Sequence, residues 1–113
     1  MSDYLEEALV DHIFRSTTFT KPTTLYFALC TAVVVDSDTG ATITEVANSN
    51  GYARASLASA DANWNAPSSG DGLTDNITEI VFGPASGGAW GTVTDIAIMD
   101  RYCHHGQCNP WSR

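Results

Sequence analysis

Thr24-Leu25-Tyr26-Phe27-Ala28-Leu29-Cys30-Thr31-Ala32-Val33-Val34-Val35 is the stretch on which the fold turns. It is rich in β-branched and aromatic residues, which suit a pleated, half-buried surface. In an extended chain Leu25, Phe27 and Leu29 point one way and Tyr26, Ala28 and Cys30 the other. Both faces are apolar, so the segment reads as a central strand or one lying at an interface.

The pattern persists downstream. Asp36-Ser37-Asp38-Thr39-Gly40 is a turn by composition, since aspartate side chains cap local backbone groups. Short strands are expected at 42–46 and 52–57, followed by a long loop over 59–75 that is crowded with Ser, Asn, Asp, Gly and Pro and interrupted by Trp64. Residues 77–82 alternate again, with Thr78, Ile80 and Phe82 on one side, and Gly83-Pro84 closes them. After a turn at Ser86-Gly87-Gly88, residues 90–99 form the last expected strand, with Val93, Ala97 and Met99 opposite Ile96 and Ile98.

Upstream, Lys21-Pro22 is incompatible with a helix interior. Before it, Asp3 can cap a helix over residues 3–15, with Glu6 reaching back as in a capping box. Leu5, Ala8, Leu9, Ile13 and Phe14 fall on one face of that helix. Several short strands without intervening helices imply a mainly β fold, an antiparallel β-sandwich or barrel with one N-terminal amphipathic α-helix. At 113 residues the chain forms a single domain over 1–113: helix about 3–15, sandwich about 23–100 and an atypical tail 101–113.

Composition narrows the function. Five basic residues against thirteen acidic ones give a net charge of −8, which repels phosphate backbones and anionic lipid, so no nucleic acid is expected as a partner. No apolar run is long enough to span a bilayer and no secretory leader is visible, so no membrane partner is expected. Cys30, Cys103 and Cys108 are an odd set that does not make a disulfide framework, as suits a protein made in a reducing cytoplasm.

No catalytic or cofactor chemistry is expected. Cys103-His104-His105-Gly106-Gln107-Cys108 offers zinc-type donors, but four donors so close together do not easily surround one ion. Asp36 to Glu45 departs from the spacing of a calcium loop, and a hairpin turn accounts for it. A nucleophile elbow and a phosphate-binding glycine loop are both missing from the sequence. Trp64, Trp90 and the tyrosines suit a carbohydrate-stacking surface in principle, but burial or subunit contact is the favoured reading.

Five segments together resemble a known family: Tyr4-Leu5-Glu6, Thr24-Leu25-Tyr26-Phe27-Ala28-Leu29, Thr44-Glu45-Val46, Gly51-Tyr52-Ala53-Arg54, and the stretch from Trp90-Gly91-Thr92-Val93-Thr94 to Asp100. The family is that of small phage proteins labelled tail-fibre-like. The resemblance covers about residues 3–100 and implies a virion structural subunit of the tail or fibre region, assembled in the host cytoplasm. A capsid cement or decoration role is the alternative, and a carbohydrate-binding receptor module a further one. Other virion structural proteins are the expected partners, with symmetric homo-oligomerisation. The residues expected to make contacts are Leu5, Leu9, Ile13, Tyr26, Tyr52, Arg54, Trp64 and Trp90. Arg54 is also expected to pair with a carboxylate, and Gly51 to take a backbone angle closed to other residues.

After Asp100 the sequence is expected to leave the family pattern, because residues 101–113 contain no aliphatic side chain. Read one nucleotide later, the codons from Arg101 onward permit Ala-Thr-Ala-Thr-Thr-Gly-Asn-Val-Ile-Leu-Gly-Leu, the continuation such proteins have. The tail is therefore expected to be either the product of a frameshift or a functional segment.

Overall fold

The computed structural model describes residues 1–68 and 70–100. The tail, with its frameshift and cysteine-histidine readings, lies outside the described residues. Four regular elements appear in order: helix α1 (Asp3–Phe14), then strands β1 (Thr24–Cys30), β2 (Ala55–Ala58) and β3 (Asp95–Met99).

Helix α1 ends one residue earlier than its periodicity suggests, and its cap is Ser2, not Asp3. Ser2 has extended backbone angles, and its Oγ accepts from the Leu5 N–H at 3.4 Å. Asp3 instead donates its own N–H to the Asp36 carbonyl at 3.0 Å, which ties the helix start to the first turn. Asp3 and Glu6 lie in the first turn, where carboxylates favour the helix dipole. The helix buries none of its residues.

The strands form one antiparallel sheet in the order β2-β1-β3. β1 is central, one of the two placements its apolar faces suggested, with Phe27 buried on one side and Ala28 and Cys30 on the other. Its register sets Leu25 opposite Leu57 and Phe27 opposite Ala55, and on the other flank Phe27 opposite Ile98 and Leu29 opposite Ile96. Directly paired residues share a face. One face therefore carries Leu25, Phe27, Leu29, Ala55, Leu57, Ile96 and Ile98.

Over the β1–β2 half of that face lies the segment after β2. Trp64, Ile80 and Phe82 pack on Phe27, Ala55 and Leu57, and Trp64 stacks on Phe27 with ring centroids 6.4 Å apart. Residues 77–82 thus turn Ile80 and Phe82 inward as their alternation predicts, but they form no strand. Their cover is a loop held by an isolated bridge between Trp64 and Asn76. The second sheet of a sandwich is not formed among the described residues.

Other strand expectations shrink in the same way. β1 stops at Cys30, and Val33 and Val35 are exposed. The 42–46 segment survives as a bridge from Glu45 to Cys30, flanked by Thr31 N–H to Thr44 O at 2.8 Å and Val46 N–H to Leu29 O at 2.9 Å. The Asp36–Gly40 turn takes the residues that a longer strand needed: Asp38 N–H reaches Val35 O, and Thr42 and Ile43 both bond to Thr39 O. β3 begins only at Asp95, and Gly91, with φ +86°, lies outside the extended region that the longer strand needed.

Candidate functional site

Two of the motif segments meet at the end of β1. The Leu29 carbonyl is taken by Val46, so the Leu29 N–H points the same way, into a gap between β2 and residues 44–46. Tyr52 fills the gap. Its hydroxyl accepts from the Leu29 N–H at 3.0 Å and donates to Glu45 Oε1 at 2.7 Å. A side chain thus does the work of a missing ladder bond, which a buried N–H requires.

Arg54, two residues on, closes the cluster. Its Nε donates to both Glu45 oxygens at 2.9 and 3.1 Å, and its Nη2 donates to Glu45 Oε2 at 2.6 Å and to the Gly40 carbonyl at 3.3 Å. This is the carboxylate pairing expected of Arg54, in the two-point geometry that guanidinium favours. Nη1 of Arg54 is buried without a hydrogen-bond partner among the described residues.

Burial, and then the hydrogen bond to Glu45, push the Tyr52 hydroxyl well above the ordinary tyrosine range. Burial, followed by the Glu45 charge, also raises the Cys30 thiol. Both groups are held in their neutral, protonated forms, which suits structure better than nucleophilic chemistry.

The aromatic motif residues brace this cluster. Tyr52 stacks on Phe82 at 6.4 Å and meets Trp90 edge-on at 5.4 Å. Trp90 Nε1 donates to the Asn50 carbonyl at 2.9 Å. Asn50 and Gly51 turn the chain with φ of +52° and +78°, as the Gly-Tyr-Ala-Arg motif implied for Gly51.

The structure divides the expected contact residues. Tyr52 and Arg54, only 3% and 6% exposed, lie inside the chain, with their polar atoms bonded to Leu29 and Glu45. Tyr26, Trp64 and Trp90 are half-buried. On the helix Leu5 and Leu9 are half-buried, while Ile13 is 67% exposed and Phe14 79%.

Two apolar surfaces that periodicity did not single out complete the picture. Ile96 and Ile98 on β3 are 61% and 63% exposed, beyond the reach of the Trp64 loop. Beside that loop, Asp61, Trp64, Asn65, Ala66, Pro67 and Ile77 line a cleft of about 440 Å³. Trp64 is the single aromatic among those lining residues, and Phe27 stacks on it. The cleft therefore does not present the coplanar rings of a sugar-stacking site. Among the described residues no group of His, Cys, Asp and Glu is placed to hold a metal ion, and no helix is long and apolar enough to cross a membrane.

Comparison with known proteins follows this geometry. A family model described as podophage GP4 fiber I protein gp80 matches residues 1–111. No curated protein and no solved structure matches the chain. The match continues past Asp100, so the likeness is not confined to residues 3–100 as the motifs suggested. With nearly its whole length matched, the chain belongs to the podophage GP4 fiber I protein gp80 family, and is a fibre structural protein of a tailed-phage virion.

Proposed function

We propose that the chain works in the virion entirely through contacts with other structural subunits, as a repeated subunit and without catalysis. The observation that carries this reading is the helix. A 12-residue helix in water is marginal by itself, and α1 buries none of its residues. Its apolar stripe gains its stabilisation when a neighbouring surface covers it. Leu5, Leu9 and Ile13 are the contacts on that stripe, with Tyr26, Trp64 and Trp90 as half-buried anchors at the sheet and its loop. Neighbouring subunits then supply the second layer that a sandwich requires.

Complementation of a phage lacking this gene tests the proposal. An Ile13→Asp chain should retain the circular dichroism of the parent, since the side chain is exposed, yet be depleted from purified particles by mass spectrometry. Equal incorporation of the variant would remove the helix from the contact surface. Absence of the unaltered chain from purified particles would remove the whole reading.

A further inference from the structure

We propose that β3 is a seam at which two copies of this chain pair edge to edge, antiparallel, about a two-fold axis at Ala97. The inference rests on the reading that the chain works through protein contacts, and it names one partner for one surface.

Among the described residues the sheet ends at β3 without cover. Its other edge is guarded: the Ala58 carbonyl of β2 receives Trp64 Nε1 and Asn63 Nδ2, both at 3.1 Å. Natural edge strands are protected by lysine, proline, bulges or inward charge. β3 reads Asp95-Ile96-Ala97-Ile98-Met99 and has no lysine or proline. Its one charge, Asp95, pairs with Cys30 and so belongs to the opposite face from the isoleucines.

The isoleucine face is half finished. Ile96 and Ile98 continue the row of Leu29 and Phe27, whose β2 side is roofed by Trp64, Ile80 and Phe82. That roof stops before β3, which leaves the two isoleucines mostly in solvent.

The order of residues points to a second copy as the occupant. Ile96-Ala97-Ile98 reads the same in both directions. An antiparallel pair centred on Ala97 therefore sets Ile96 against Ile98 of the second copy, and Ile98 against its Ile96. Four isoleucines then form one row on one face, and Asp95 lies opposite Met99 of the second copy instead of its Asp95. A two-fold interface must be self-complementary, and this strand is. The following segment of the same chain, residues 101–113, has no aliphatic side chain to match the isoleucines. Two copies of net charge −8 repel at long range, so pairing through this uncharged row strengthens as salt screens them.

Sedimentation velocity on the full chain, over a range of protein and salt concentration, tests the seam. The unaltered chain should form a dimer favoured by salt. Both Ile96→Lys/Ile98→Lys and the milder Ile96→Thr/Ile98→Thr should weaken pairing, the lysine variant by more than about a hundredfold. The threonine variant keeps β-branched side chains, so its circular dichroism shows whether the fold survives. Hydrogen exchange on the unaltered chain adds a readout free of mutation: amides of β3 should gain protection as dimer forms, and those of β2 should not. A strictly monomeric chain, a dimer indifferent to both variants, or an assembly larger than a dimer through this edge overturns the proposal. Loss of the dimer on truncation after Asp100 also overturns it, because the tail would then be needed. A monomer that still enters particles refutes the seam alone, and a seam dimer missing from particles refutes the virion reading alone.

Discussion

Glu45 and Arg54 face each other inside the protein at 2.6 Å, with side chains 5% and 0% exposed. The pair joins the bridge beside β1 to the residue that enters β2, and Tyr52 ties both to the Leu29 N–H. It is the point at which two remote motifs become one structure.

Breaking this pair from one side should be severe. Arg54→Met leaves the Glu45 carboxylate without its cation, and we expect a loss of about 3–5 kcal/mol in urea unfolding. Because Arg54 Nη1 is already without a partner, the double change Glu45→Leu/Arg54→Met should recover much of that loss. A double variant no more stable than Arg54→Met would show that the pair contributes beyond relieving a buried charge.

Tyr52→Phe isolates the hydroxyl. The ring contacts to Phe82 and Trp90 remain, but the Leu29 N–H loses its acceptor and Glu45 a donor. An unsatisfied buried donor costs about 1–3 kcal/mol, and denaturant midpoints should fall accordingly.

Stability should also fall in alkali. Cys30 and Tyr52 both have folded-state pKa values above their ordinary 9.0 and 10.0. The folded protein therefore holds protons that the unfolded chain gives up first. The resulting stabilisation is complete below those ordinary values and is lost as pH climbs through them toward the raised folded values. Thermal midpoints measured from about pH 8 to about pH 11 should decline over the upper part of that range. Tyr52→Phe should flatten the portion above the ordinary tyrosine value.

Two glycines should respond differently to alanine. Both have positive φ, +78° at Gly51 and +86° at Gly91. A Cβ at Gly51 would lie 2.8 Å from Ser86 Oγ and 2.9 Å from the Pro84 carbonyl, whereas nothing approaches within 4 Å at Gly91. Gly91→Ala should cost about 1 kcal/mol for backbone conformation alone. Gly51→Ala should cost about 2–3 kcal/mol or more, because a backbone carbonyl must shift as well. Thermal melts of the two variants give the comparison.

Much of this architecture was legible from local pattern. Leu25, Phe27 and Leu29 against Tyr26, Ala28 and Cys30 identified a strand covered on both sides, and β1 is the central strand. The helical spacing of Leu5, Leu9 and Ile13 located α1 to within a residue at its end. Arg54 was legible as one half of an ion pair, but its partner was not. Nothing in periodicity ties Glu45 to a residue nine positions away across a turn.

By itself the sequence determined which segments could be extended or helical, because side-chain alternation, helical spacing and glycine or proline restriction act within a few residues. It also determined the net charge of −8. Only the tertiary structure decided which extended segments became strands. Residues 77–82 alternate as a strand does but end as a loop over the core, since their backbone pairing among the described residues stays at an isolated bridge beside Asn76, where Ile77 N–H reaches Asn63 O at 2.7 Å, and does not extend into a ladder. It likewise decided that Tyr52 and Arg54 lie inside while Ile96 and Ile98 face out. Bonds to Leu29 and Glu45 hold Tyr52 and Arg54 inside, and the limited reach of the Trp64 loop across the sheet leaves Ile96 and Ile98 out; both depend on contacts between residues far apart in the chain.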